Sequence, residues 1–262
     1  MNTMLNTKRL FLYLLCLFLS SCSVKEDRLR CPCRLVIGFD ESIESSELSV
    51  SVHSAGETVF EDVLHPALLD SRVLLVPRNV VSVISYDPLS ELCQDAEIYL
   101  IEPGKQCDSI YCGVTIVDCR GDEASAVVSA GKQFATVYLN VIASGSSPTL
   151  PESVLVSGDI CGLNLATLLP VRGEFFYNTA LDEYRSCSFR VPRQQDSRLT
   201  LELSGNTGST GSIDIGRIIS NSGYDWSAES LPDILLDISL AELEAGLIVS
   251  DWNVKVVESD FQ

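Results

Sequence analysis

The chain has 262 residues, a formal net charge of −18 at pH 7, 46% hydrophobic residues and 21% charged ones. The length suits two domains of roughly 100–150 residues, and this balance of apolar to charged side chains excludes wholesale disorder. The acidic excess argues against nucleic acid as a partner, because phosphate contacts need clustered Lys and Arg. Two histidines leave little material for His-based metal sites or catalytic triads.

The first residues read as an address. Lys8 and Arg9 precede an uninterrupted apolar run from Leu10 to Leu19. A helix of that length rises ~15 Å, about half the hydrocarbon core of a bilayer, so the run fits a secretory signal and not a membrane span. Leu19-Ser20-Ser21-Cys22 then has the form of a bacterial lipobox. Small residues let the chain enter the peptidase cleft, and the thiol carries the diacylglycerol. Residues 1–21 are therefore expected to be a lipoprotein signal peptide, with Cys22 as the lipidated (palmitate-bearing) first residue of the mature chain. Residues 22–32 form the lipid tether. Within it, Lys25, Glu26 and Asp27 resemble the lysine-plus-acids signal that sends lipoproteins to the outer surface in one Gram-negative phylum.

Eight cysteines remain beyond Cys22: Cys31, Cys33, Cys93, Cys107, Cys112, Cys119, Cys161 and Cys187. Export makes disulfides permissible. Six precede residue 150 and two follow it, which suits a two-domain division with no bridge across it. Cys161 with Cys187 is the candidate disulfide of the second half. The first half leaves fifteen connectivities open. No paired C-x2-C knuckles accompany these cysteines, so neither metal nor cofactor is expected.

From Arg34 onward the dominant period is two. Strands are predicted over 34–39, 48–54, 57–63, 72–76, 80–86, 113–119, 125–129 and 133–143, as β-branched and aromatic runs separated by Gly and Pro. Ser144 to Pro151 lacks apolar periodicity and is the expected boundary between β-sandwich domains at 33–145 and 152–262. The second half continues with strands at 153–157, 173–177, 184–191, 198–204, 212–219, 233–240 and 247–257. Short helices are considered at 67–72 and around 240–245. The reading is all-β, two tandem antiparallel sandwiches.

Nothing in the chain assembles into an evident catalytic site, and no enzymatic activity is expected. Gly205 to Gly211 is glycine-rich but lacks the Lys and following helix of a phosphate loop, so it reads as a hairpin connection. His53 and His65 have no nucleophile or acid at a telling spacing. The aromatic available for stacking a sugar is Trp226, in Gly223-Tyr224-Asp225-Trp226.

The opening of the mature chain resembles the fimbrial anchor lipoproteins of the FimB/Mfa type. The resemblance rests on lipid Cys22, Glu26-Asp27, the Cys31-Pro32-Cys33 step, the apolar run 34–39, the tyrosine-bearing run 80–86 and the ending Ile248-Val249-Ser250-Asp251-Trp252. It implies two transthyretin-like sandwiches and a non-enzymatic role at the base of a surface fimbrium. It also implies a first strand, 34–39, that stays in place where stalk subunits lose theirs. The partners implied are the outer membrane, through the N-terminal lipid, and a fimbrial stalk subunit bound by a β-strand or edge contact. The alternatives are a glycan-binding lipoprotein of a nutrient-uptake system and a fimbrial tip subunit.

Overall fold

The computed structural model describes residues 31–41, 43, 46–68, 71–87, 98–144, 151–196, 198–205, 208–243 and 246–257. Cys22, Lys25, Glu26, Asp27 and Cys93 lie outside these described residues. The described chain is dominated by strands arranged in four sheets around two apolar cores.

The first core lies between a three-stranded and a five-stranded sheet. In the smaller sheet β1 (Cys33–Phe39) is central. It pairs antiparallel with β4 (Ser71–Val76) and parallel with β8 (Glu123–Val128). Cys33, Leu35 and Ile37 alternate inward and are fully buried, as the period of two requires. The larger sheet has the order β3 (Glu57–Leu64), β2 (Leu48–Ser54), β5 (Val80–Tyr86), β7 (Tyr111–Asp118), β9 (Gly131–Lys132). Ala55 and Gly56 close the β2–β3 hairpin with φ of 52° and 83°. Positive φ at both central residues is what a two-residue turn needs to match strand twist.

The second core lies between two larger sheets. One has the order β13 (Ser186–Pro192), β10 (Phe134–Ser144), β16 (Asp233–Leu243), β17 (Gly246–Val257). The other runs β12 (Leu169–Ala180), β11 (Ser153–Asn164), β14 (Thr200–Gly205), β15 (Gly208–Ile213). The short β6 (Ile98–Leu100) joins the far end of β11. Helix α1 (Ile215–Asn221) buries Ile215, Ile218 and Ile219 against this core.

Several expectations are corrected. Residues 133–143 were expected to close the first sandwich. Instead β10 pairs with β13 and β16, and Val137, Leu139 and Val141 fill the second core. The crossing between cores thus falls near residues 129–133, and the Gly/Ser/Pro stretch lies between two strands of the second one. The strand expected over 212–219 ends at Ile213 and gives way to α1. The Asp214 carboxylate accepts the Arg217 N–H at 2.9 Å, an N-cap, and Ile215, Ile218 and Ile219 fall on one helical face. At 67–72 there is a single 3-10 turn, Pro66–Leu68, and residues 240–243 belong to β16 instead of a helix.

The candidate bridge Cys161–Cys187 is not formed, and both are free thiols. They sit on strands of facing sheets. Cys187 packs on the second core, whereas Cys161 alternates with buried Ile160 and lies over Gly173, whose added Cβ would stand 2.3 Å from its sulfur. The glycine-rich 205–211 segment is the hairpin that was expected, with Gly205 opposite Gly208.

Candidate functional site

Three places stand out: the start of β1, the joint between cores and a cleft on the second body. At the start of β1, the Arg78 guanidinium ties Cys31 to the 120–122 turn. Its Nε donates to the Cys31 carbonyl at 2.8 Å, one Nη donates to the Arg120 carbonyl at 3.4 Å, and the other meets the Asp122 carboxylate. Arg34 pairs with Glu123 across the β1–β8 register. Asp118 accepts from the Arg120 guanidinium at 2.7 and 2.8 Å, and also from its backbone N–H. These bonds hold the Asp118 carboxyl down at about 2. Cys31 is therefore held beside the first residues of β1 by a cluster of ion-paired arginines.

The joint is a buried polar network. The Lys132 ammonium and Asp233 carboxylate form an ion pair with side chains 3% and 11% exposed. The same Asp233 oxygen accepts the Thr136 N–H at 2.7 Å, and the ammonium stands 4.7 Å from the Phe134 ring centre. The Gln133 amide donates to the Cys112 and Gly131 carbonyls at 3.0 Å each. Its oxygen accepts from Arg193 Nε at 2.9 Å, and Arg193 also donates to the Trp226 and Ala228 carbonyls at 2.5 and 2.8 Å. Burial pulls the Arg193 guanidinium below its ordinary value. Ser129 donates to the Glu229 carboxylate at 2.6 Å. A Cβ on Gly131 would stand 2.4 Å from the Glu229 carbonyl, so glycine is what permits the approach. These groups lock residues 129–133 onto the 226–233 segment.

These residues were missed by sequence reasoning. A signal was present: Lys132-Gln133 and Asp233 each open a long apolar strand, where charged side chains have no reason to sit unless they meet a partner.

The cleft has a volume of about 390 Å³ and lies between the 167–170 turn, the 193–195 segment and the 226–229 turn. Trp226 is half-buried and packs on Tyr224, with ring centres 4.6 Å apart. The Trp226 indole N–H and the Gln194 amide oxygen are buried without a hydrogen-bond partner. His53 bonds to Ser51 at 3.0 Å and Thr58 at 3.2 Å, and His65 sits 3.3 Å from the Ser46 carbonyl. Neither joins a catalytic arrangement. Among the described residues no cluster of three metal-ligating side chains occurs, and no helix is long and apolar enough to cross a membrane.

Two apolar cores, each between β-sheets and joined through a buried polar network, define an all-β sandwich fold. The chain shares its fold with the fimbrial anchor protein Mfa2 from Porphyromonas gingivalis (TM-score 0.61, 10% identity, 87% of this chain and 100% of that one). It is equally similar to a candidate adhesin from Bacteroides ovatus (TM-score 0.61, 13% identity, 91% and 98% covered). A candidate polysaccharide-binding protein from Bacteroides thetaiotaomicron matches at TM-score 0.57 and 12% identity, with 88% and 100% covered. No family model and no curated protein matches the sequence.

Proposed function

We propose that this protein is a surface lipoprotein that fixes a fimbrial polymer to the outer membrane and limits its length. The observation that carries the reading is the placement of β1. It is the middle strand of its sheet, and it comes from the start of the body, immediately after the tether. A body that fills its own sheet offers no groove between β4 and β8 for a neighbour's strand, so growth ends at this subunit. The lipid on Cys22, exported under the direction of Lys25, Glu26 and Asp27, holds the assembly at the membrane. The stalk then contacts the second body, distal from the lipid, through a strand or edge. The shared fold with a fimbrial anchor protein supports the reading. No catalytic role is assigned to any residue.

The test is electron microscopy of cells and medium. Replacing Cys22 with Ala is expected to move filaments from the cell surface into the medium, and gene deletion is expected to release or lengthen them. Unchanged filaments in both strains would overturn the anchor role.

The second reading, saccharide binding, is favoured by the Trp226 cleft. A pocket of this size, with an aromatic wall and unpaired polar atoms, suits a small hydroxyl-rich ligand. Binding to a glycan array, lost with Trp226→Ala while the fold is kept, is the expected outcome on that reading. A flat array counts against it.

A further inference from the structure

β1 begins at Cys33, and Cys119 follows directly on the end of β7. Both are free thiols in this structure, fully buried, and belong to the first core. Three backbone contacts bring them together. Cys33 stands opposite Val76 at the end of β4. The Cys119 N–H donates to the Asn79 carbonyl, three residues beyond Val76, at 2.9 Å. The Arg34 N–H donates to the Asp122 carbonyl at 2.9 Å, which ties the turn after Cys119 to the start of β1. Among the described residues, Cys31 is exposed, Cys107 and Cys112 belong to the second core, and Cys161 and Cys187 lie on strands of the second body.

We propose that Cys33 and Cys119 are a disulfide site, closed after export, and that the bond pins β1 into its sheet. The cross-link rests on the backbone contacts and the shared core, independently of function. Its role as a lock against strand exchange rests on the anchor reading, because a donated strand could enter only if β1 left, and a covalently held β1 cannot leave.

The chemistry is ordinary exchange with an external disulfide, carried by a thiol–disulfide oxidoreductase or a small disulfide. One cysteine thiolate attacks a sulfur of that disulfide, forming a mixed disulfide and expelling one external thiolate. The second cysteine thiolate attacks the mixed disulfide, forms the Cys33–Cys119 bond and expels the other external thiolate. Both cysteine protons are released, and the external disulfide takes up two electrons to become a dithiol. Burial, then Cys33 itself, pushes the Cys119 thiol up to about 11, so its thiolate is scarce in the folded body. An external reagent also has no access to either sulfur. The bond therefore closes while the chain is still folding, and once closed it is shielded from reductant.

The test uses lipoprotein taken from outer membranes, quenched in acid and alkylated in denaturant without reductant, followed by disulfide mapping by mass spectrometry. The expected result is a Cys33–Cys119 linked peptide pair that survives reductant on the folded protein and is lost when reductant is added in denaturant. Cys31→Ser should keep the pair. Cys33→Ser should leave Cys119 fully alkylated and lower the melting temperature by roughly 5–10 °C. Free alkylation of both residues in wild-type protein from cells, or a bond from Cys119 to another cysteine, overturns the proposal. The thiol readout needs no filament. A formed bond with unchanged filaments overturns the anchor reading alone, and free thiols with released filaments overturn the cross-link alone.

Discussion

Replacing Lys132 with methionine is expected to destabilise the protein by about 3–5 kcal/mol, the cost of breaking a buried ion pair from one side. Methionine keeps the length and most of the volume of the lysine stem. The loss therefore reports the charge and not a cavity. The substitution leaves the Asp233 carboxylate, 11% exposed, without its counter-ion beside the Phe134 ring. The carboxylate would keep one donor, the Thr136 N–H at 2.7 Å, which is too little for a buried anion. Urea unfolding followed by two probes is the measurement, because the joint couples two cores and the transitions need to be resolved. Removing both partners in Lys132→Met with Asp233→Leu is expected to cost less than the single change, since only the Thr136 N–H is then orphaned. A single-variant loss below about 1 kcal/mol, the range of a surface pair, would show that water reaches the ammonium.

A chain lacking residues 33–39 is expected to lose the first core as a unit while the second keeps its own transition. Leu35 and Ile37 are fully buried, and burying each side chain is worth about 1.5–3 kcal/mol. Because β1 is central, its removal also strips ladder partners from both β4 and β8. The combined loss approaches the whole stability of a typical domain, about 5–15 kcal/mol. Both tryptophans, Trp226 and Trp252, lie in the second body, so their fluorescence follows that body alone. Calorimetry is expected to show one transition where the full chain shows more, at the temperature where tryptophan emission changes. Adding a peptide of sequence 33–39 should restore the missing transition. Retention of the first transition without β1 would mean that β4 and β8 close on each other, and the filled-groove account of growth termination would fail.

Much of the strand pattern was legible because alternation is a local property. Val80 to Tyr86 and Leu48 to Ser54 coincide with β5 and β2, since β-branched residues at period two have few other ways to bury one face. The boundary was misplaced for a physical reason. Turn-forming composition marks a connection between strands, and the 144–151 stretch does connect two strands, but β10 and β11 of one body. The true crossing near 129–133 has no loop-like composition, because it is ordered by long-range bonds to Glu229, Ser230 and Asp233. The 212–219 stretch failed as a strand because Ile215, Ile218 and Ile219 satisfy a helical period as well, and the Asp214 cap decides between them. Even cysteine counts suggested Cys161–Cys187, but counting carries no information about which face of a sheet a thiol occupies.

The parallel pairing of β1 with β8 sets how the molecule carries tension. The chain enters β1 at Cys33 and leaves β8 at Val128, and in the register Arg34 lies beside Glu123 while Phe39 lies beside Val128. A pull at the entrance of β1, resisted at the exit of β8, therefore acts along both strands in opposite senses. All the hydrogen bonds of the ladder are strained together instead of being peeled apart one by one. Under such a load the rate of forced opening, and not equilibrium stability, governs failure.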